Sequence, residues 1–160
     1  MERADERATV RLTIDIDVPV ERAYQVFTQR FDLIKPREHK LFEVDIAESV
    51  LEPWVGGRLY DRGRDGRLCQ WGRVLAVDPP HRIAFSWDIS PSWQLEDDPD
   101  RASEVELRFT PVTPQRTRVD LEHRHLDRHG PGWEAERDSV AGYGGWPLYL
   151  RRYRDVLATS

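Results

Sequence analysis

The chain has 160 residues, enough for one sizeable core and too few for two ordinary domains. Charged residues make up 33% of it and the net charge is −5, which argues against nucleic acid or an anionic membrane as the main partner. The single cysteine, Cys69, excludes an internal disulfide. The opening MERADERATV lacks the apolar stretch of a signal peptide and no run reaches membrane-spanning length, so the expected location is the cytoplasm. Six tryptophans imply an interior that is wide as well as packed. Basic residues are 22 arginines and two lysines, Lys35 and Lys40, which reads as the codon bias of a GC-rich bacterial genome. Residues 56–82 carry six Arg against three Asp, whereas residues 95–106 carry five more acids than bases. Two solvated faces account for this, with a polarised protein-contact surface as the sharper alternative.

In chain order, residues 1–7 read as a frayed, charged tail. Thr9 to Asp17 alternates, with Val10, Leu12, Ile14 and Ile16 on one face, and predicts a half-buried strand. Pro19 suits the first turn of a helix, and Val20, Ala23, Tyr24 and Phe27 carry that helix to about Gln29. Phe31 to Ile34 adds a short helical turn before Pro36. Strands are expected over Phe42–Glu52, Arg58–Arg62, Leu68–Val77 and Arg82–Ile89. Between them, Gly56-Gly57 allows a close approach, Asp65-Gly66 suits a tight turn with positive φ, and Pro79-Pro80 forces a second turn. Ser90 to Ala102 is polar and reads as a long mobile loop. Glu104–Thr110 and Thr117–His125 alternate cleanly, with Val105, Leu107 and Phe109 inward on the first and Val119, Leu121 and His123 on the second, joined by a turn containing Pro111 and Pro114. Trp133–Arg137 predicts a short helical piece. Ser139, Tyr143, Trp146, Leu150, Tyr153 and Leu157 then give one apolar stripe at helical spacing, with Pro147 a kink or restart.

Strand, helix, a run of antiparallel strands and a long final helix make an α+β fold over the whole of residues 1–160, without a second-domain linker. A curved sheet wrapped around one amphipathic helix leaves a cavity, because a curved surface and a straight rod cannot touch everywhere. The segments VPVERAYQVFT at 18–28, LEPWVGGRLYD at 51–61, GRVLAVDPPHRIAFSW at 72–87, VDLEHRHLDRHG at 119–130 and GWPLYLRRY at 145–153 resemble the Activator of Hsp90 ATPase homologue-like family of the START/SRPBCC superfamily. The resemblance implies the helix-grip (Bet v-type) fold and leaves open what the cavity holds. Bacterial relatives often carry paired tryptophans just before the proline that follows helix 1. Here Leu33-Ile34-Lys35 precedes Pro36, implying a less aromatic mouth.

The expected ligand-binding residues are Trp71, Phe85, Trp87, Leu107, His123, Tyr143, Trp146 and Leu150, lining an apolar pocket for a small, largely apolar molecule, against plain core packing. Trp54 and Trp93 fall in loops, at the mouth or on a contact surface. His123 is the one candidate acid or base, weighed against a structural histidine bonded to Tyr143 or to backbone. His123 and His125 fall on one strand face with His129 nearby, but spacing supplies no fourth ligand, so neither metal nor cofactor is assigned. Three readings follow. The first is a non-enzymatic binding module. The second is a polyketide-cyclase-type enzyme using His123, which the fold makes possible. The third, which the resemblance implies, is a stress-related co-chaperone acting on an Hsp90-type ATPase.

Overall fold

The computed structural model describes residues 6–159. The tail expected at 1–7 lies outside them up to residue 5, while Glu6 and Arg7 are helical. In chain order the elements are β1 (Val10–Ile16), α1 (Val20–Gln29), α2 (Phe31–Ile34), β2 (Ile46–Leu51), β3 (Arg58–Gly63), β4 (Leu68–Asp78), β5 (Arg82–Trp87), β6 (Ser103–Thr113), β7 (Arg116–Arg124), α3 (Trp133–Ala141) and α4 (Trp146–Thr159). The described strands form one antiparallel sheet, ordered β1-β7-β6-β5-β4-β3-β2 and curled into a half-barrel, with α4 across its concave face. This is the helix-grip arrangement.

Alternation fixes the register. Leu107 stands opposite Leu121 and Ile83, and Leu121 opposite Leu12, so each strand turns the same parity inward. Bulges between Leu59 and Tyr60 and between Val74 and Ala76 let the long strands bend around the helix. Gly66 takes φ +87° at the β3–β4 turn, where any side chain would be strained. Pro79-Pro80 is the cis turn that returns β4 into β5. Gly57, just before β3, approaches the preceding loop so closely that a Cβ would lie 2.2 Å from the Glu52 carbonyl oxygen.

The concave face and the helices meet in an aromatic core. Phe27 packs edge-on to Tyr153 at 5.5 Å and to Phe31 at 5.7 Å, and the Tyr153 hydroxyl donates to the Ala23 carbonyl. Each such large side chain contributes roughly 1.5–3 kcal/mol on burial. On the outer face, Glu106 accepts from Arg82 and Arg124, and Glu104 from Arg124 and Arg128. The acidic residues of β6 are thus neutralised by arginines of β5, β7 and the turn after it, while Arg58 and Arg62 of the basic stretch pair with Glu52 and Glu48.

The structure corrects four expectations. β2 begins at Ile46, not Phe42, because Lys40 folds the preceding residues locally onto the Glu43 carbonyl and the Asp45 carboxylate. The 90–102 loop is tied down: Ile89 bridges to Leu95, Glu96 N–H donates to the Asp88 carbonyl, and Asp98 caps a 3-10 turn at Pro99–Arg101. β6 runs through Pro111 to Thr113, leaving only residues 114–115 for the turn. Finally, the stripe from Ser139 to Leu157 is not one helix. Gly142, Gly144 and Gly145 break it, and α4 restarts at Trp146 with Pro147 in its first turn.

Candidate functional site

Between the concave sheet and the junction of α3 with α4 lies a cavity of about 460 Å³. Trp71 from β4, Trp87 from β5, and Trp146 and Tyr149 from α4 form its aromatic walls, with Trp93 from the 90–102 loop. Trp87 meets Trp71 at 5.6 Å and Trp146 at 5.5 Å, both edge-on, and Trp146 meets Tyr149 at 4.7 Å. Such tilted contacts are the preferred packing of ring quadrupoles. Trp93 adopts φ 60° and is 44% exposed, forming part of the wall while remaining open to solvent.

One part of the wall is polar. Lys35, just after α2, is 3% exposed and faces Asp61, 2% exposed, at 3.0 Å. Asp61 accepts with its other oxygen from the Ser49 hydroxyl at 2.8 Å, and Lys35 also donates to the His39 carbonyl. Burial pushes the Lys35 ammonium down from its ordinary value, and the Asp61 carboxylate pulls it back up. His39 shares the cavity and is pushed down by burial and by the nearby ammonium, so its imidazole is neutral near pH 7. Burial raises the Tyr149 phenol well above its usual range, keeping it protonated.

Behind the tryptophans runs a second, fully buried polar set. Trp146 Nε1 donates to His123 Nδ1 at 3.0 Å, which puts the His123 proton on Nε2 and aims it at Ser103 Oγ, 2.7 Å away. The Ser103 hydroxyl then donates to His129 Nε2 at 2.7 Å. Trp87 Nε1 donates to Glu136 Oε2 at 2.9 Å. Burial lowers His123 to about 3 and His129 to about 4, and raises Glu136 to about 7. The set is thus neutral histidines and a carboxyl about half protonated near pH 7, which fix the two indole rings from behind.

The expected site residues divide accordingly. Trp71, Trp87 and Trp146 line the cavity. Phe85, Leu107 and Leu150 are core residues outside its lining. His123 points inward but stands behind Trp87 and Trp146, with both ring nitrogens engaged. Tyr143 requires correction: it lies in the break between α3 and α4, is 80% exposed, and stacks on the Arg151 guanidinium, so it neither meets His123 nor lines the cavity. His125 leaves the strand with φ 63°, so it does not share a face with His123. Among the described residues no group of three or more His, Cys, Asp or Glu is placed to hold a metal ion. Trp54 is exposed and away from the cavity.

Comparison with known proteins decides the family. The family described as "Activator of Hsp90 ATPase homolog 1-like protein" matches residues 17–158. The chain belongs to this family. Within the same fold, the chain is similar to the solved structure of the anthrahydroquino-γ-pyrone synthase Txn09, at 40% identity over 92% of this chain and 96% of that one, with a TM-score of 0.65. It is also similar to the self-sacrificing resistance protein CalC from Micromonospora echinospora, at 27% identity over 93% of each chain and a TM-score of 0.64. The HSP90 activator PFC0360w from Plasmodium falciparum shares the fold at 21% identity, over 94% of this chain and 96% of that one, with a TM-score of 0.62. A comparison with curated proteins finds no match. Among the described residues no helix is long and apolar enough to cross a membrane.

For this member of the Activator of Hsp90 ATPase homolog 1-like family, sequence reasoning missed the polar wall. A signal for Asp61 was present: it shares strand parity with the inward Leu59 and Gly63. Lys35 gave none beyond its place beside Ile34, since a lysine next to a proline reads as a surface loop.

Proposed function

We propose that this protein binds a flat, polycyclic aromatic molecule in the cavity between the curved sheet and α4. The observation that carries the reading is the aromatic wall of Trp71, Trp87, Trp93, Trp146 and Tyr149 around about 460 Å³. Ligand sites commonly enclose roughly 300–1,000 Å³, are lined mainly by apolar side chains, and use a few placed polar groups for orientation. Lys35, His39 and Asp61 are those groups here. The hydrogen bonds from Trp87 to Glu136 and from Trp146 to His123 hold two ring faces ready before a ligand arrives, which reduces the entropic cost of binding. The 40% identical Txn09, by its name a synthase of an anthrahydroquino-γ-pyrone, supports the same ligand class. Titration with a hydroxyanthraquinone, followed by tryptophan fluorescence, tests the reading. Saturable quenching at one site is expected, weakened about tenfold by Trp93→Ala, which removes an exposed wall without opening the core. Linear quenching indifferent to Trp93→Ala would contradict it.

A second reading, that the bound molecule is also ring-closed here, is favoured by the polar wall. Closing a pyrone from a hydroxyl and a carbonyl forms one C–O bond and moves the carbonyl π pair onto its oxygen, giving a cyclic hemiketal; breaking its C–OH bond and the adjacent C–H bond then releases water and leaves the ring C=C. The protein must accept a proton from the hydroxyl and supply a donor to the carbonyl oxygen. A neutral His39 and the Lys35 ammonium fit these roles by position and charge; His123, with both nitrogens occupied, does not. Conversion of an uncyclised hydroxyaryl diketone, read as loss of one water by mass and abolished by His39→Ala, is the expected result. An unchanged rate in His39→Ala would remove His39 from the step.

A further inference from the structure

The polar wall has more donors than acceptors. A lysine ammonium carries three N–H bonds. In Lys35 one goes to Asp61 Oδ2 and one to the His39 carbonyl, leaving one without a partner in a side chain only 3% exposed. Trp71, whose ring centroid lies 5.8 Å from the Lys35 nitrogen, is 1% exposed, and its indole N–H has no hydrogen-bond partner. Both residues line the cavity. The nearby acceptor is already used: both Asp61 oxygens are engaged, one by Ser49 and one by Lys35 itself. Buried donors without acceptors are rare, and a donor on a cavity wall is satisfied by what enters the cavity.

We propose that Lys35 and Trp71 together receive a carbonyl oxygen on the rim of the aromatic ligand, so that the site selects quinone-type or ketone-bearing ring systems over bare arenes of the same shape. The inference rests on the aromatic-binding reading above and narrows it to one class. Charge balance favours a carbonyl over a carboxylate. The Lys35 charge is already balanced by Asp61, and Lys40 on the same wall is paired with Asp45, so no unpaired cation waits for a full anion, whereas a neutral acceptor with two lone pairs fits two donors. The aromatic walls hold the rings, and the oxygen fixes which edge points inward, so Lys35 and Trp71 determine orientation as well as class.

The test uses two uncharged probes of one skeleton, 2-(hydroxymethyl)anthraquinone and 2-(hydroxymethyl)anthracene, titrated against the purified protein by fluorescence quenching or calorimetry. The wild type is expected to bind the quinone at least about tenfold more tightly than the arene, the effect of one charge-assisted hydrogen bond. Lys35→Met alone would strand Asp61, so it is combined with Asp61→Asn, which keeps an acceptor for Ser49 and buries no lone charge. This double variant is expected to lose the preference and bind the two probes alike. Trp71→Phe, which keeps a ring and deletes the N–H, is expected to lose part of it. Equal affinity for the two probes in the wild type would overturn the proposal, and so would a preference that survives the double variant. Failure of both probes to bind would sink the aromatic-binding reading and this inference with it, a result distinct from binding without preference.

Discussion

Replacing Glu136 by Gln isolates the energetics of the buried polar set behind the cavity. Glu136 is 1% exposed; its Oε2 accepts from Trp87, and its Oε1 has no partner, with His129 Nε2 3.8 Å away. Burial raises the carboxyl from 4.5 to about 7. A carboxyl whose pKa is higher in the folded than in the unfolded state costs nothing below the unfolded value, where both states are protonated. The cost grows as pH rises between the two values and is complete above the folded one. A shift from 4.5 to about 7 corresponds to about 3 kcal/mol lost by alkaline pH. Glutamine reproduces the protonated carboxyl: its oxygen can still accept from Trp87, and its amide takes the place of the O–H. His123 and His129 also titrate, but they are common to both proteins and cancel in the difference. Urea denaturation of wild type and Glu136→Gln at several pH values gives that difference directly. The variant's advantage is expected to grow by about 2 to 3 kcal/mol between roughly pH 5 and pH 8. A difference that stays flat across this range would show that Glu136 ionises normally, and the reasoning about its burial would be wrong.

Other outcomes follow from the same geometry. Ser103→Ala strands the Nε2 atoms of both His123 and His129 inside the protein, and chemical denaturation is expected to show a loss of about 2–4 kcal/mol. Both histidines are held below 6.5 by burial, to about 3 and about 4, so stability is full above 6.5 and falls as pH drops toward those values. An acid unfolding curve that shows no loss until all carboxylates protonate would contradict this. Tyr143→Ala, at an exposed position, should change stability by less than about 0.5 kcal/mol and leave probe affinity unaltered. Gly57→Ala should cost more than about 2 kcal/mol in thermal or urea unfolding, because its Cβ would sit 2.2 Å from the Glu52 carbonyl oxygen, which is backbone and cannot swing away.

Much of this fold is legible in the sequence because the physics is local. Val105, Leu107 and Phe109, and likewise Val119 and Leu121, alternate in a pattern that only a half-buried strand satisfies, and Asp65-Gly66 and Pro79-Pro80 state their turns through backbone chemistry. The site was less legible. Tyr143 keeps helical spacing with Trp146 and Leu150, but periodicity assumes an unbroken helix. Gly145 approaches Val140 so closely that a Cβ would lie 2.2 Å from its carbonyl oxygen, and that approach breaks the helix and turns Tyr143 outward. Strand parity turns His123 inward, but its depth behind two tryptophans depends on how the α3–α4 junction folds over the sheet, a long-range contact that strand parity cannot report. Lys35 and Asp61 lie far apart in the chain and declare themselves only where the residue after α2 reaches the side chain from β3.

The central claim is that the tryptophan-walled cavity is a site for a planar aromatic ligand. A crystal structure of the protein soaked with 2-(hydroxymethyl)anthraquinone tests it most directly. The account predicts the ring system between the sheet and α4, against Trp87 and Trp146, with one carbonyl oxygen within hydrogen-bond distance of Lys35. A cavity free of the probe at saturating concentration, or a probe bound only on the outer face of the sheet, would contradict it.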